Sequence, residues 1–285
     1  MVRLLIVLSM IIFSMWGGTV GATPTKSKLS ALKVTIGSDV INPNYIGNGV
    51  EWDPYDEAEA WGSPLSEEDW QKLFARLDYM KPAYVRCMFN SPYRYFDAAI
   101  RHYDPKRNLG SMRKLLDYCQ ERGVMVVFGE YNPPTWEMKD SQEWIDMSVG
   151  YLNMLVNELG YDCIKHFVIF NEPDGDWAST NGDFNLWLSM LRRFHVAMSK
   201  YPGLLDKVSL AGPDVVADYR NGNSAYDTEG WLRQTVKEAD SLIGLYDIHA
   251  YPGQNEVRNG SYRSLLSTYR HAVPADKQII LGEAG

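Results

Sequence analysis

The stretch that decides the fold is His166 to Trp177, HFVIFNEPDGDW, in which a short apolar segment runs directly into Asn-Glu-Pro. Residues 166 to 170 are aromatic, β-branched or imidazole and are too few for a helix, which is typical of a strand buried on both faces. Pro173 has no N–H to donate to a sheet and biases Glu172 toward an extended conformation. The strand is therefore predicted to end here, with Glu172 at its C-terminal end, in a position that suits a catalytic group.

A second stretch repeats this pattern near the end of the chain. Gln278 to Gly285, QIILGEAG, is an apolar strand that ends in Glu283, with Gly282 before it and two small residues after it. Small residues leave room for close approach of backbone or ligand. A single Asn-Glu-Pro occurs by chance as a polar strand exit, but two acidic strand ends far apart in sequence become neighbours if parallel strands bring them to one face.

The N-terminus has the three regions of a secretory signal peptide. Arg3 precedes an apolar run over residues 4–16, and small residues end at 20–22. The alternative is a membrane anchor, but the run is short for a bilayer, which needs ~20 apolar residues. We therefore predict a signal peptide over residues 1–22, a polar lead-in over 23–40, one large domain over 41–285, and a secreted or periplasmic protein without stable membrane insertion.

Charge and cysteine content limit the classes of partner. The net charge is −8, and nucleic-acid binding requires clustered Lys and Arg, so no nucleic-acid partner is predicted and a neutral or cationic ligand fits better. The three cysteines, Cys87, Cys119 and Cys163, have no metal-ligand spacing. At most one disulfide is possible, and buried thiols are the expectation.

Predicted strands and helices alternate along the whole chain. Ser66 and Asp69 form a capping box for the first helix, Gly123 ends the second, and Thr228 is a candidate cap for the fifth. Strands are predicted at 45–52, 83–89, 124–129, 166–170, 207–211, 245–250 and 278–281, and helices at 66–80, 110–122, 141–159, 183–201, 229–239 and 262–272. Repeated βα units predict an α/β fold, a (β/α)8 TIM barrel with about seven of its units in this chain.

With these elements in this order, the chain resembles the clan A retaining glycoside hydrolases, the superfamily of cellulases, mannanases and β-xylosidases. The resemblance covers roughly residues 45–285. Asn171-Glu172 after the fourth predicted strand resembles the acid/base motif, and Glu283 on the seventh resembles the nucleophile. The run His249-Ala250-Tyr251 on the sixth strand is similar to the family's His-x-Tyr pattern, and Arg86 resembles the arginine of the second strand in cellulases and mannanases.

The resemblance implies a hydrolase that cleaves O-glycosidic bonds of a polysaccharide or oligosaccharide through a covalent glycosyl-enzyme. Glu172 is then the catalytic acid/base and Glu283 the catalytic nucleophile, kept charged by Arg86 and the Tyr251 hydroxyl. Asn171 is placed to bind the sugar 2-hydroxyl, and His249 to orient neighbouring groups or contact substrate. The implied partner is a carbohydrate substrate, with no cofactor and no metal.

Several aromatic and acidic residues follow predicted strand ends. Flat rings stack on the C–H faces of sugars, and Trp52, Trp136 and Trp177 are the candidates, with packing equally open for Trp177. Trp144 and Trp187 lie on predicted helices and are expected to pack in the core. Acidic loop residues that can bind hydroxyls or a cation, with no metal assigned, are Asp53, Glu130, Asp174 and Asp176.

Three questions stay open at the level of sequence. The chain stops two residues after Glu283, so an eighth strand and helix have no residues left; truncation is favoured over a partner that supplies the missing wall. A non-catalytic carbohydrate-binding or scaffold protein of the same fold is the main alternative function. A metal-dependent barrel hydrolase would want a His-x-His pair at an early strand end, which His102, His166, His195, His249 and His271 do not form. Sugar identity, linkage, endo or exo action and oligomeric state are not predicted.

Overall fold

The computed structural model of the protein describes residues 33, 35–40, 42–54 and 64–285. These residues form two units, the first ending at Tyr45 and the second beginning at Ile46. In the first unit, the backbone N–H of Tyr45 donates to the Asn42 carbonyl at 3.3 Å, and the N–H of Asn44 donates to Asn42 Oδ1 at 3.0 Å, which forms a turn. The predicted signal peptide lies outside the described residues. Within the described part, no helix combines the length and apolar content that a membrane span requires.

In the part of the chain that the structure describes, the second unit is built on seven parallel strands that neighbour one another in chain order. Each neighbouring pair is parallel. The strands are β1 (Gly49–Glu51), β2 (Tyr84–Phe89), β3 (Met125–Glu130), β4 (Ile164–Val168), β5 (Ser209–Ala211), β6 (Ile243–Ala250) and β7 (Gln278–Ala284). Because all of them run the same way, their carboxyl ends meet at one face of the sheet.

A helix follows each of the first six strands, as the alternation predicts. The main helices are α1 (Glu67–Met80), α2 (Leu109–Arg122), α3 (Gln142–Asn153), α4 (Phe184–Ser199), α5 (Thr228–Ala239) and α6 (Ser261–Ala272), and a π-helical turn, Met154–Glu158, continues α3. Shorter elements are the helices Ser91–Arg94, Trp136–Met138, Leu204–Lys207, Asp240–Leu242 and Gln254–Asn259, the hairpin Phe96–Asp97 with His102–Tyr103, and Val215–Val216, which pairs with β6.

The helix ends follow from local chemistry. The Ser66 hydroxyl accepts the Asp69 N–H at 3.2 Å, and Gly123 ends α2 at φ 67°, a left-handed conformation that glycine adopts without strain, so both predicted boundaries are confirmed. The predicted cap Thr228 is wrong, because Asp227 accepts the Gly230 N–H and caps α5. Thr228 is the first helical residue, and its hydroxyl donates to the Val216 carbonyl instead.

Alternation along the strands separates two apolar layers. One cluster takes residues from six of the strands and fills the inside of the curved sheet: Tyr84, Met88, Val127, Val168, Ala211, Leu245 and Ile280. The intervening residues, such as Val85, Cys87 and Phe89 on β2, join a larger cluster between the sheet and the helices. The three cysteines are buried and free, as expected.

Side chains of β2 reach across the inside of the sheet to β7. The Tyr84 hydroxyl donates to the Leu281 carbonyl at 3.0 Å, and Arg86 contacts Glu283. The sheet is thereby curled until its second and seventh strands are in contact range. This curl makes a nearly closed barrel in which β1 and β7 are the two ends of the strand order.

Candidate active site

Glu172 is held in a turn just beyond β4. The strand ends at Val168, two residues earlier than predicted, and Glu172 has φ 46°. The predicted extended conformation is therefore wrong. Proline disfavours the right-handed helical region for the preceding residue but leaves the left-handed region open, and two hydrogen bonds hold Glu172 there. Its N–H donates to Asp214 Oδ2 at 3.4 Å, and its carbonyl accepts the Gly175 N–H at 2.9 Å.

Glu283 faces the inside of the barrel because β7 carries a bulge. Leu281 pairs with Ile248 of β6, and Glu283 pairs with His249, so Gly282 is an extra residue in β7. A bulge reverses the side on which the following residues point. Without it, Gly282 would lie opposite His249, and Glu283 would point toward the helices.

The two glutamates converge on His249. One carboxylate oxygen of Glu172, one of Glu283 and a ring nitrogen of His249 all lie within 4.8 Å of one another. His249 Nδ1 is 2.8 Å from Glu172 Oε1 and 3.7 Å from Glu283 Oε1. The two glutamate side chains are 13% and 14% exposed, so both are open to a ligand at the mouth of the barrel.

Arg86 is the central cation of the site and is completely buried. Its Nη1 donates to Glu283 Oε1 at 2.6 Å and to Glu51 Oε1 at 2.8 Å. Its Nη2 donates to Asn171 Oδ1 at 2.6 Å and to Asp214 Oδ2 at 3.2 Å. Burial disfavours the charged guanidinium, but Asp214 and Asp247 outweigh it and raise the pKa of Arg86 above its usual value. Arg86 thus orients Glu283 and Asn171 together.

His249 lies between two acidic partners. Nδ1 contacts Glu172, and Nε2 contacts Asp214 Oδ1 at 3.2 Å. Burial disfavours a charged imidazole, but Asp214 and the hydrogen bond to Glu172 raise the pKa of His249 well above its usual value. Burial would also raise the pKa of Asp214, but Arg86 and His249 hold it well below its usual value. The charges of this buried group are therefore paired.

Asp247 completes the floor of the site on β6. It is fully buried, and its Oδ1 accepts the Gly282 N–H at 2.8 Å. Burial, and then the neighbouring Asp214, raise the pKa of Asp247 well above its usual value. Five acidic side chains therefore lie around Arg86 and His249: Glu51, Glu172, Asp214, Asp247 and Glu283.

The Tyr251 hydroxyl donates a short hydrogen bond to Glu283 Oε2. Burial and this hydrogen bond raise the pKa of Tyr251, so the phenol keeps its proton and remains a donor. Both carboxylate oxygens of Glu283 are thus held, Oε1 by Arg86 and Oε2 by Tyr251. Arg86, Asn171, Glu172, His249, Tyr251 and Glu283, all selected from the sequence, are brought together.

The three tryptophans selected for stacking have different surroundings. Trp177 is half exposed, and its indole N–H donates to Glu172 Oε2 at 2.7 Å. Trp136 is 59% exposed on the turn after β3 and stays a prediction. Trp52 instead packs on the helix side, against Trp70 and Phe74 of α1 and Tyr118 of α2, with ring centroids 5.9–6.3 Å apart. The expected role of Trp52 at the substrate is not supported by this position. Trp144 and Trp187 are buried, as expected.

The four acidic residues selected after predicted strand ends also differ in their surroundings. Glu130 is buried on the helix side of β3, where the Ser91 hydroxyl donates to it at 2.8 Å and the Tyr95 hydroxyl also donates. Asp53 accepts the Met88 N–H at 2.8 Å, and Asp174 accepts the Val216 N–H at 3.2 Å. Burial raises the pKa of all three carboxyls to about 7. Asp176 is exposed.

Three contributors to the site were not selected from the sequence. Asp214 follows β5 in the same way that Glu172 follows β4, so the strand-end rule alone could have found it. Glu51, at the end of β1, accepts the Tyr131 hydroxyl at 3.1 Å as well as Arg86. Asp247 lies within a strand, where only its polar character in an apolar run marks it. Two groups place ligating atoms within 4.8 Å of one another, Glu172, His249 and Glu283, and Asp214, Asp247 and His249, and Arg86 contacts members of both.

No protein-family model and no curated protein matches the sequence. Solved structures do match. A GH39 β-xylosidase from Caulobacter crescentus superposes with a TM-score of 0.54 at 14% identity, covering 84% of this chain and 53% of the other. A GH5-4 broad specificity endoglucanase from Ruminococcus champanellensis with bound cellotriose gives 0.56 at 15% identity, covering 83% and 77%. Endoglucanase Cel5A from the hyperthermophilic Thermotoga maritima gives 0.56 at 14%, covering 84% and 79%.

These matches establish the fold. The chain spans about half the length of the GH39 enzyme, 53%, and most of the length of the GH5 enzymes. A seven-stranded, nearly closed parallel barrel that matches (β/α)8 enzymes confirms the predicted fold class and, at the level of fold, the resemblance to clan A glycoside hydrolases.

Proposed function

We propose that this protein is a retaining glycoside hydrolase, with Glu172 as acid/base and Glu283 as nucleophile. The observation that carries the proposal is the approach of the two carboxyl groups to within 4.8 Å, oxygen to oxygen, at the carboxyl ends of β4 and β7. Retaining enzymes hold their two carboxyls ≈ 5–5.5 Å apart, whereas inverting enzymes leave ≈ 6.5–9.5 Å for a water. Both carboxyl groups also approach the same ring nitrogen of His249, at 2.8 Å and 3.7 Å, which supports the shorter spacing and direct attack by one carboxylate.

In the first step, Glu283 Oε attacks the anomeric carbon while Glu172 donates a proton to the leaving glycosidic oxygen. Arg86 and Tyr251 each hold one oxygen of Glu283, which keeps the attacking group correctly oriented. In the second step, Glu172 removes a proton from water, and the resulting hydroxide displaces Glu283 from the sugar. Glu172 Oε1 contacts His249 Nδ1, and Glu172 Oε2 accepts the indole N–H of Trp177.

The substrate is proposed to be a neutral or cationic glycan. The described residues around the two glutamates add Glu51 and Asp214 against the single guanidinium of Arg86 and the imidazole of His249. A uronic acid bound at the reacting position would face an excess of carboxyl groups. The signal-like pattern of residues 1–22 supports export, which N-terminal sequencing of the mature protein would test.

The test is turnover of a panel of aryl glycosides and plant oligosaccharides by the wild type, Glu172→Gln and Glu283→Gln, with Glu121→Gln on the surface as control. The proposal predicts loss of about 10³-fold or more in each active-site variant, products that retain the anomeric configuration, and no effect of a chelator. Binding of the same glycans without turnover would instead support a non-catalytic carbohydrate-binding protein. Loss of activity on chelation would favour a metal-dependent hydrolase.

A further inference from the structure

Asp214 contacts three separate parts of the site. It follows β5, is 1% exposed, and its Oδ1 lies 3.2 Å from His249 Nε2. Its Oδ2 accepts from Arg86 Nη2 at 3.2 Å and from the backbone N–H of Glu172 at 3.4 Å. Its own N–H donates to the Asp247 carbonyl at 3.1 Å, which fixes the loop to β6. One carboxylate therefore connects the candidate acid/base, the imidazole beside it and the central arginine.

We infer that Asp214 is a positioning residue for the acid/base Glu172. It holds the backbone turn that presents Glu172, and it holds His249 as the hydrogen-bond partner of the Glu172 carboxyl group. This inference rests on the proposed function. With Nε2–H donated to Asp214, the opposite ring nitrogen Nδ1 is directed at Glu172 Oε1, 2.8 Å away. One proton is then shared across that contact, carried either by the carboxyl group or by the ring.

The charge of Asp214 favours retention of this shared proton. An imidazolium between two carboxylates is stabilised by both, so removal of one negative charge releases the proton at lower pH. Loss of the Asp214 charge also leaves the positive charge of Arg86 less compensated, which again favours release of the proton at lower pH. The ionisable groups that face or act on His249 are Glu51 on β1, Arg86 on β2, Glu172 and Asp174 after β4, Asp214 after β5, Asp247 on β6 and Glu283 on β7.

The experiment compares pH profiles of kcat/KM for the wild type and Asp214→Asn, an isosteric variant without the charge. The alkaline limb, which reports loss of the proton that the acid must donate, is expected to move to lower pH by about one unit or more. Asp214→Glu keeps the charge and should restore most of the limb. Asp174→Asn, which removes a buried carboxyl from the same region without touching the ring, should move it much less.

A second background separates positioning from general destabilisation. In His249→Asn, the Asp214→Asn change is expected to move the alkaline limb by less than half as much, because the imidazole that couples the two residues is gone. An equal shift in both backgrounds, or an unmoved limb in a folded and active Asp214→Asn protein, would overturn the inference.

Two outcomes keep the inference separate from the proposed function. If Asp214→Asn does not fold, ¹⁵N NMR of the wild type, with His249 assigned by its loss in His249→Asn, decides: a proton on Nε2 throughout pH 5–8 supports the inference, and an unprotonated Nε2 overturns it. If Glu172→Gln and Glu283→Gln both keep full turnover, the proposed function fails, whatever the pH profiles show. Normal loss of activity in those variants with an unmoved Asp214→Asn profile refutes the positioning role alone.

Discussion

Glu283 lies opposite His249 on the neighbouring strand because Gly282 is inserted between two otherwise regular sections of β7. The glycine is required by space. A Cβ built on Gly282 would lie 2.4 Å from Asp247 Oδ1, whose side chain is fully buried and already bound to the Gly282 N–H. The bulge thus needs a residue without a side chain, and the direction of the candidate nucleophile depends on the bulge.

Gly282→Ala should therefore misplace Glu283. Either Asp247 or the β7 backbone has to move, and we expect kcat/KM to fall by about 10- to 100-fold with a loss of about 1–3 kcal/mol in the free energy of unfolding. Gly222→Ala is the matched control, since a Cβ there meets nothing within 4 Å. Activity of Gly282→Ala equal to that of the control would show that the bulge does not orient Glu283.

Removal of the buried charge of Arg86 should cost more stability than removal of a charge on the surface. Arg86→Met leaves Asp214 and Glu283 buried or half-buried without their main cation, and we expect a loss of about 3–5 kcal/mol in urea unfolding. Arg233→Met removes a solvent-exposed ion pair with Glu229 on α5, for which a loss of about 0.5 kcal/mol is expected. Similar losses in the two variants would contradict the buried-network interpretation.

Glu130 should make stability fall as the pH rises. Burial raises its pKa from 4.5 to about 7, so the folded protein binds a proton that the unfolded chain releases between these values. The contribution is fully present below pH 4.5 and is lost as the pH rises through 7, by about 3 kcal/mol. Glu130→Gln should remove this part of the pH dependence of urea unfolding, while the exposed Glu121→Gln should not. A slope unchanged in Glu130→Gln would show that the buried carboxyl does not titrate in this way.

Substitution of Trp177 should affect substrate binding, whereas substitution of Trp52 should affect packing. Trp177→Ala removes a half-exposed ring beside Glu172 and is expected to raise KM roughly tenfold with little change in melting temperature. Trp52→Ala removes a ring packed against α1 and α2, so about 3 kcal/mol of stability should be lost while KM is unchanged. The reverse pattern in steady-state kinetics and thermal unfolding would restore Trp52 as the sugar-stacking residue.

The architecture was predictable because it is encoded by repeated local signals. Apolar strands, helical spacing and caps such as Ser66 and Gly123 recur along the chain, and parallel strands then bring Glu172 and Glu283 to one face. Local signals were insufficient where tertiary contacts decide. The left-handed backbone of Glu172 depends on Asp214, a partner from the next βα unit.

The same limit applies to the tryptophans. Trp52 and Trp177 both follow strand ends, and only the three-dimensional structure shows that α1 and α2 cover the first ring while the second reaches Glu172. Asp247 shows a related limit, because a carboxyl inside a strand gives no sign of its direction until the register with β7 is known. Register and bulge position depend on packing across the whole barrel.

The most direct test of the central claim is mass spectrometry of the protein after incubation with a set of activated 2-deoxy-2-fluoro glycosides of xylose, glucose, mannose and arabinose. Double displacement predicts a stable adduct of one fluoroglycosyl group on the peptide that contains Glu283. The adduct should be absent in Glu283→Gln and still formed by Glu172→Gln, because an activated leaving group needs no proton. Turnover of the parent glycosides with inversion, or an adduct on any other side chain, would contradict the account.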